Sequence, residues 1–147
     1  MKVLHNEKWL TVLFPKPQTV MSWAIYGGGV RRTNMVAWRQ VTDQELELGV
    51  DPRQFLEESL AENSMTQAIG MLTSADLSLY QDVTRSSEGI EARCVATVGM
   101  TNALRIGDLP ARFEVAGTIN LLCVVSVPLS TPALGEALSL AVEARTA

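Results

Sequence analysis

A chain of 147 residues, 47% hydrophobic and 19% charged, is long enough to bury a real core and too apolar to be disordered. Sixteen acidic residues against twelve basic ones leave a formal net charge of −4. The one basic doublet is Arg31-Arg32, so the sequence lacks the basic stripe that a phosphate-neutralising nucleic-acid binder carries. One domain spanning residues 1–147 is expected, with no nucleic-acid partner.

The N-terminus, Met1-Lys-Val-Leu-His-Asn-Glu-Lys8, has no apolar signal core and no cleavage pattern. The uncharged run from Val115 to Gly135 is nominally long enough to span a bilayer. Gly117, Asn120, Pro128 and Pro132 interrupt it, which divides it into a buried strand, a loop and a helix start. No membrane association and a cytoplasmic location are therefore expected.

Three short segments rich in Val, Trp, Ile and Thr read as strands: Lys8–Phe14, Val20–Tyr26 and Asn34–Val41. Pro15 and Pro17 bound the first, and Gly27-Gly-Gly29 reads as a turn joining the other two. These glycines supply positive φ. A phosphate cradle has weak support, because no Lys-Ser/Thr and no helix signature follow. Asp51 to Asn63 is a helix, with Asp51 as cap, Pro52 at the first helical position, Gln54 completing a capping box and a Phe55, Leu56, Leu60 stripe. Ala68–Leu72 is an apolar strand. Thr73-Ser-Ala-Asp76 opens a short helix through Leu77, Leu79 and Tyr80, with Thr73 and Asp76 as a capping box.

Ile90–Met100 begins by alternating and ends all apolar, as a strand entering the middle of a sheet does. Thr118–Val127 is a second buried strand. Ser130-Thr-Pro-Ala caps a final helix from Pro132 to about Arg145, with Leu134, Leu138, Ala141 and Val142 as its stripe. Cys94 and Cys123 lie inside apolar runs and read as small buried hydrophobes of a reducing compartment. A thiolate role needs a neighbouring base or cation, which neither offers in sequence. The pattern predicts an α+β fold: a mixed β-sheet with helices packed mainly on one face.

Small polar residues interrupt the two most apolar strands where each meets its loop. Val98-Gly-Met-Thr-Asn-Ala-Leu-Arg-Ile-Gly-Asp108 follows the first, and Gly117-Thr-Ile-Asn120 begins the second. If those strands are neighbours, the two segments form the mouth of one site. In order and spacing, six segments resemble the adenosylcobinamide amidohydrolase family of corrinoid-salvage enzymes. They are Gly27-Gly-Gly29 with Arg31 and Asn34; Gly70-Met-Leu-Thr-Ser-Ala-Asp76; Ala96-Thr-Val-Gly-Met-Thr-Asn-Ala103; Gly107-Asp108; Gly117-Thr-Ile-Asn120; and Glu143-Ala-Arg-Thr146. The match covers residues 20 to 147. Family members usually continue beyond the final helix with a Gly/Thr/Asp-rich segment, whereas this sequence stops at Ala147, so a short member is expected.

The resemblance implies hydrolysis of the amide joining the aminopropanol arm to the corrin ring, giving adenosylcobyric acid. It implies a corrinoid as the small-molecule partner. No cofactor and no metal are expected, since the sequence has no His-x-x-His or Cys-x-x-Cys spacing. Asn34, Thr101, Asn102, Thr118 and Asn120 are the candidate substrate-binding residues, because amide and hydroxyl groups offer both donors and acceptors to the amides around a corrin. Asp108 and Glu143 are the candidate catalytic bases, with Asp76 and a Thr118 nucleophile as weaker choices. Backbone N–H groups around Gly99 and Gly117 are candidate oxyanion donors. His5, the single histidine, falls outside the matching segments, so no Ser/His/Asp arrangement can be built. The alternatives are a non-catalytic corrinoid- or tetrapyrrole-binding protein on the same scaffold, and a small oligomeric protein with an unrelated ligand. A homodimer is expected, since a short chain of several strands exposes sheet edges.

Overall fold

The computed structural model describes residues 1–101, 104, 107–109 and 117–146. Its strands are β1 (Lys2–His5), β2 (Trp9–Ser22), β3 (Gly29–Gln40), β4 (Ile69–Thr73), β5 (Gln81–Ser87), β6 (Ile90–Val98) and β7 (Ile119–Val125). Its helices are α1 (Pro52–Glu62) and α2 (Thr131–Thr146), and a 3₁₀ turn spans Leu77–Leu79. The class is α+β, as the pattern predicts. The strands form two sheets: a four-stranded mixed sheet ordered β1-β2-β3-β4, with β3 and β4 parallel, and a three-stranded antiparallel sheet ordered β5-β6-β7.

Side-chain alternation explains how the sheets meet. Along β2, Leu10, Val12 and Phe14 face one way and Trp9 faces the other; along β3, Val36 and Trp38 share the first side. That side packs with Ile69 of β4, Leu77 of the 3₁₀ turn, and Val95 and Leu122 of the second sheet in one buried cluster. The opposite side of the first sheet receives α1, whose Leu56 and Leu60 pack on Trp9, Ala37 and Ala68.

Gly70 sets how closely α1 can approach. A Cβ there would stand 2.9 Å from Leu60 Cδ1, 3.1 Å from Leu56 Cδ2 and 3.3 Å from Tyr26 Cβ. Tyr26 in turn exchanges two backbone hydrogen bonds with Gly70, which seats the Gly27–Gly29 turn beside β4. Asp51 caps α1 by accepting from Arg53 N and Gln54 N. The Gln54 side chain does not close a capping box: it donates to Glu58 at 2.9 Å.

β2 departs from the sequence expectation. It is one strand, not two pieces separated by Pro15 and Pro17. Leu13 pairs with Met35 and Gln18 with Thr33, so residues 14–17 oppose Asn34 alone. Proline has no N–H to give the ladder and is tolerated at such a bulge. β1 and β5 also go beyond the segments expected, and β5 is exposed at every residue, which is why it carries no apolar signal. Asp76, not Thr73, caps the 3₁₀ turn, accepting from Ser78 N. Among the described residues, no helix is long and apolar enough to cross a membrane.

A charged cluster closes the α1 side. Arg39, 8% exposed, lies over Trp9 and Phe55, with its guanidinium carbon 5.8 and 5.7 Å from the ring centroids. It donates to Glu45 at 2.7 Å, and Lys8 donates to the same carboxylate at 2.9 Å. Burial opposes ionisation of Glu45, but hydrogen bonds from Lys8, the Thr42 N–H and Arg39 outweigh it and bring its pKa to about 2.

Two outcomes follow. Gly70→Val drives a side chain into Leu60 and Leu56 and lowers stability in urea unfolding by about 1–3 kcal/mol. The folded pKa of Glu45 lies below its ordinary value of 4.5, so its contribution is complete above pH 4.5 and is lost as pH falls toward 2. Glu45→Gln therefore flattens the stability–pH curve across that window in parallel urea titrations.

Candidate functional site

β6 and β7 are neighbours, with Val98 paired to Ile119 and Thr97 to Asn120. The pairing runs one step past the strands: Gly99 N–H donates to Thr118 O at 2.8 Å. A Cβ on Gly99 would sit 3.1 Å from Thr118 N and 3.6 Å from Ala75 Cβ. Glycine is therefore what lets the exit of β6 lie flat against both the entry of β7 and the turn after β4.

That turn is the third contributor. Ser74 Oγ and Thr118 Oγ1 are 3.5 Å apart. The Asn120 side chain donates from Nδ2 to Leu72 O at 2.7 Å, tying β7 of one sheet to β4 of the other. Thr73 Oγ1 accepts from Ala75 N at 3.1 Å and fixes the turn. Thr97, directly opposite Asn120, is 1% exposed, and its Oγ1 has no hydrogen-bond partner among the described residues. Three of the singled-out segments, Gly70–Asp76, Ala96–Gly99 and Gly117–Asn120, thus converge where β4, β6 and β7 meet.

The junction borders a cavity of about 580 Å³, of which Asn120 and Leu72 form part of the wall. That volume is in the range of small-molecule sites. One wall is the second half of β2 and the turn after it, from Gln18 to Ile25; another is β7; α2 closes the third with Leu134, Leu138 and Val142. No α2 residue is fully buried, because its apolar stripe fronts this space instead of packing into the core. Polar groups are few among the described residues: Gln18, Thr19, Ser22, Asn120, Arg145 and the Cys123 thiol.

The sequence-predicted residues distribute unevenly. Thr118 and Asn120 lie at the junction. Asn34 stands opposite the β2 bulge, six residues along β3 from Gln40, which pairs with Thr73. That is about 20 Å of strand from the junction. Thr101 and Asp108 are exposed and engaged with other groups. Asn102 lies outside the described residues. Glu143 is exposed and is not part of the cavity wall, whereas Arg145 of the same segment is. Asp76 accepts from Ser78, whose hydrogen bonds hold its carboxyl below the usual range, so it is a capping group and a weak base. The Gly99 N–H is committed to Thr118 and is not an oxyanion donor.

Sequence reading missed Trp23, 71% exposed at the cavity, although a tryptophan beside a glycine turn was a visible signal. It also missed the cysteines as a pair. Cys123 is exposed and Cys94 half-buried, not enclosed in the core, because both stand on the outer face of the three-stranded sheet. Among the described residues, no three His, Cys, Asp or Glu side chains gather as a metal site would require.

Asn120→Ala removes the tie to Leu72 and costs about 1 kcal/mol in urea unfolding. The model of one protein family, described as adenosylcobinamide amidohydrolase, matches residues 1–147. No curated protein and no solved structure matches the chain at a significant level.

Proposed function

Because the chain belongs to the adenosylcobinamide amidohydrolase family, we propose that it cleaves the amide between the aminopropanol arm and the corrin ring of adenosylcobinamide, releasing aminopropanol and adenosylcobyric acid. The observation that carries this reading is the convergence of the Gly70–Asp76, Ala96–Gly99 and Gly117–Asn120 segments at the edge of a largely apolar cavity. An apolar wall with a few fixed polar groups suits the rim of a corrin, which alternates methyl groups with amide arms. Trp23 offers a flat apolar surface at the opening. Gln18 and Asn120 offer amide groups that both donate and accept, and Arg145 adds donors for amide carbonyls.

In this reading, Asn120 has spent one N–H on Leu72 and keeps its other donor and its carbonyl for an arm of the ring. Thr118 and Ser74 place two hydroxyls within reach of each other beside it. Hydrolysis requires a water to attack the amide carbonyl, a base to take its proton and an acid to return one to the leaving amine. Asp108 and Glu143 are the two carboxylates proposed as the base. Thr101 and Asn102 are proposed to bind the amide arms of the ring as well. The domain is proposed to be single and the protein to work as a cytoplasmic homodimer.

A non-catalytic corrinoid binder on the same scaffold is the second reading. What favours it is that Asp108 and Glu143 are both exposed and that Glu143 is not part of the cavity wall. Incubation with adenosylcobinamide, followed by mass spectrometry of the small molecules, distinguishes the two. Aminopropanol and adenosylcobyric acid are the expected products. Asp108→Asn is expected to lower kcat/KM by about 10²-fold or more, and Asn120→Ala to raise KM chiefly. A visible-spectrum shift with no aminopropanol released selects the binder, and no shift at all rejects both.

A further inference from the structure

The three-stranded sheet carries a second chemically distinctive feature on its outer face. Cys94 and Cys123 are direct cross-strand partners on β6 and β7. Their class of pairing follows from the ladder. Gly99 donates to Thr118 and Ser126 donates to Glu91, so the pairs with odd numbers on β6 are the hydrogen-bonded ones. Cys94 and Cys123 therefore form a non-hydrogen-bonded pair, in which the Cα atoms stand about 4.5 Å apart and the side chains are closest. That spacing is at the short end of the range of about 4.4–6.8 Å that a disulfide spans. The sulfurs are 3.6 Å apart, and small χ1 rotations bring them to bonding distance.

We propose that Cys94 and Cys123 are a reversible redox-modification site, closing a cross-strand disulfide by exchange with a small-molecule disulfide such as oxidised glutathione. The exposed Cys123 is the entry point. Its thiolate attacks one sulfur of the reagent, forming a mixed disulfide and expelling one thiolate. The Cys94 thiol loses its proton to solvent, and its sulfur attacks Cys123 Sγ, expelling the second thiolate. Two protein thiols are oxidised by two electrons, and one reagent disulfide is reduced to two thiols. The electrostatics agree with this order. A hydrogen bond from Cys94 stabilises the Cys123 thiolate and brings its pKa to about 7, and the same coupling together with burial pushes Cys94 up. Cys123 is thus the attacking sulfur and Cys94 the resolving one. A disulfide that includes the exposed Cys123 is open to reduction by small thiols.

The pair is set away from the polar junction of the proposed hydrolysis, although Cys123 also borders the cavity. Cys94 and Cys123 lie five residues from Gly99 and Thr118, about 17 Å of strand away. The test is to expose the reduced, folded chain to oxidised glutathione and to map its peptides without reduction. The expected result is a mass lower by two hydrogens, a single Cys94–Cys123 cross-link within one chain, and full reversal by dithiothreitol. Cys94→Ser is expected to stop at a stable glutathione adduct on Cys123. Stable adducts without the cross-link in the unsubstituted chain overturn the proposal. So does a disulfide formed only between two chains, and so do thiols that react only after unfolding.

Discussion

The seam between the two sheets governs this molecule. Trp38, Val36 and Ile69 on one side meet Val95 and Leu122 on the other, and facing sheets settle about 10 Å apart when such side chains interdigitate. The contact is apolar, so its strength comes from surface removed from water and from close packing. It also aims the strands. With the sheets held face to face, the end of β4 lies beside the entry to β7, and the Asn120–Leu72 hydrogen bond spans the remaining step. Where the seam runs out of large side chains, toward α2 and the far half of β2, a cavity is left. Core and compartment are two regions of the same interface.

Much of this was readable from residues. Asp51 and Pro52 announce α1 because capping is local chemistry: a carboxylate accepting two backbone N–H groups needs no tertiary support. The adjacency of Gly99 and Thr118 was readable as a conditional, since two very apolar strands tend to seek the middle of one sheet. What was not readable depended on partners. The passage of β2 through Pro15 and Pro17 requires knowing that only Asn34 lies opposite. The division into two sheets depends on which strand edges are covered, and no periodicity reports that. The cysteines read as core because apolar runs imply burial, but alternation on a sheet with one open face puts every second residue outside. For Glu143-Ala-Arg-Thr146, a helix whose stripe borders a cavity shows Arg145, not Glu143, to the interior.

The chemistry of the junction is that of hydroxyls and amides. Thr97, Ser74, Thr118 and Asn120 contribute neutral groups, and the carboxylate of Asp76, in the turn after β4, is occupied with capping. Such a setting recognises a ligand by matched donors and acceptors, which suits a substrate edged with amides. Thr97 is informative here, since a buried hydroxyl without a partner among the described residues carries an energetic cost.

The bulge in β2 has an evolutionary meaning. Upstream of it the strand belongs to the packed interior; downstream it forms a wall of the cavity, and four residues face one across the ladder. Since the bend already absorbs a mismatch in residue count, insertions or deletions there can widen or narrow the chamber while the upstream register with β3 stays put. A lineage can in this way adjust what fits inside without re-solving how the protein folds.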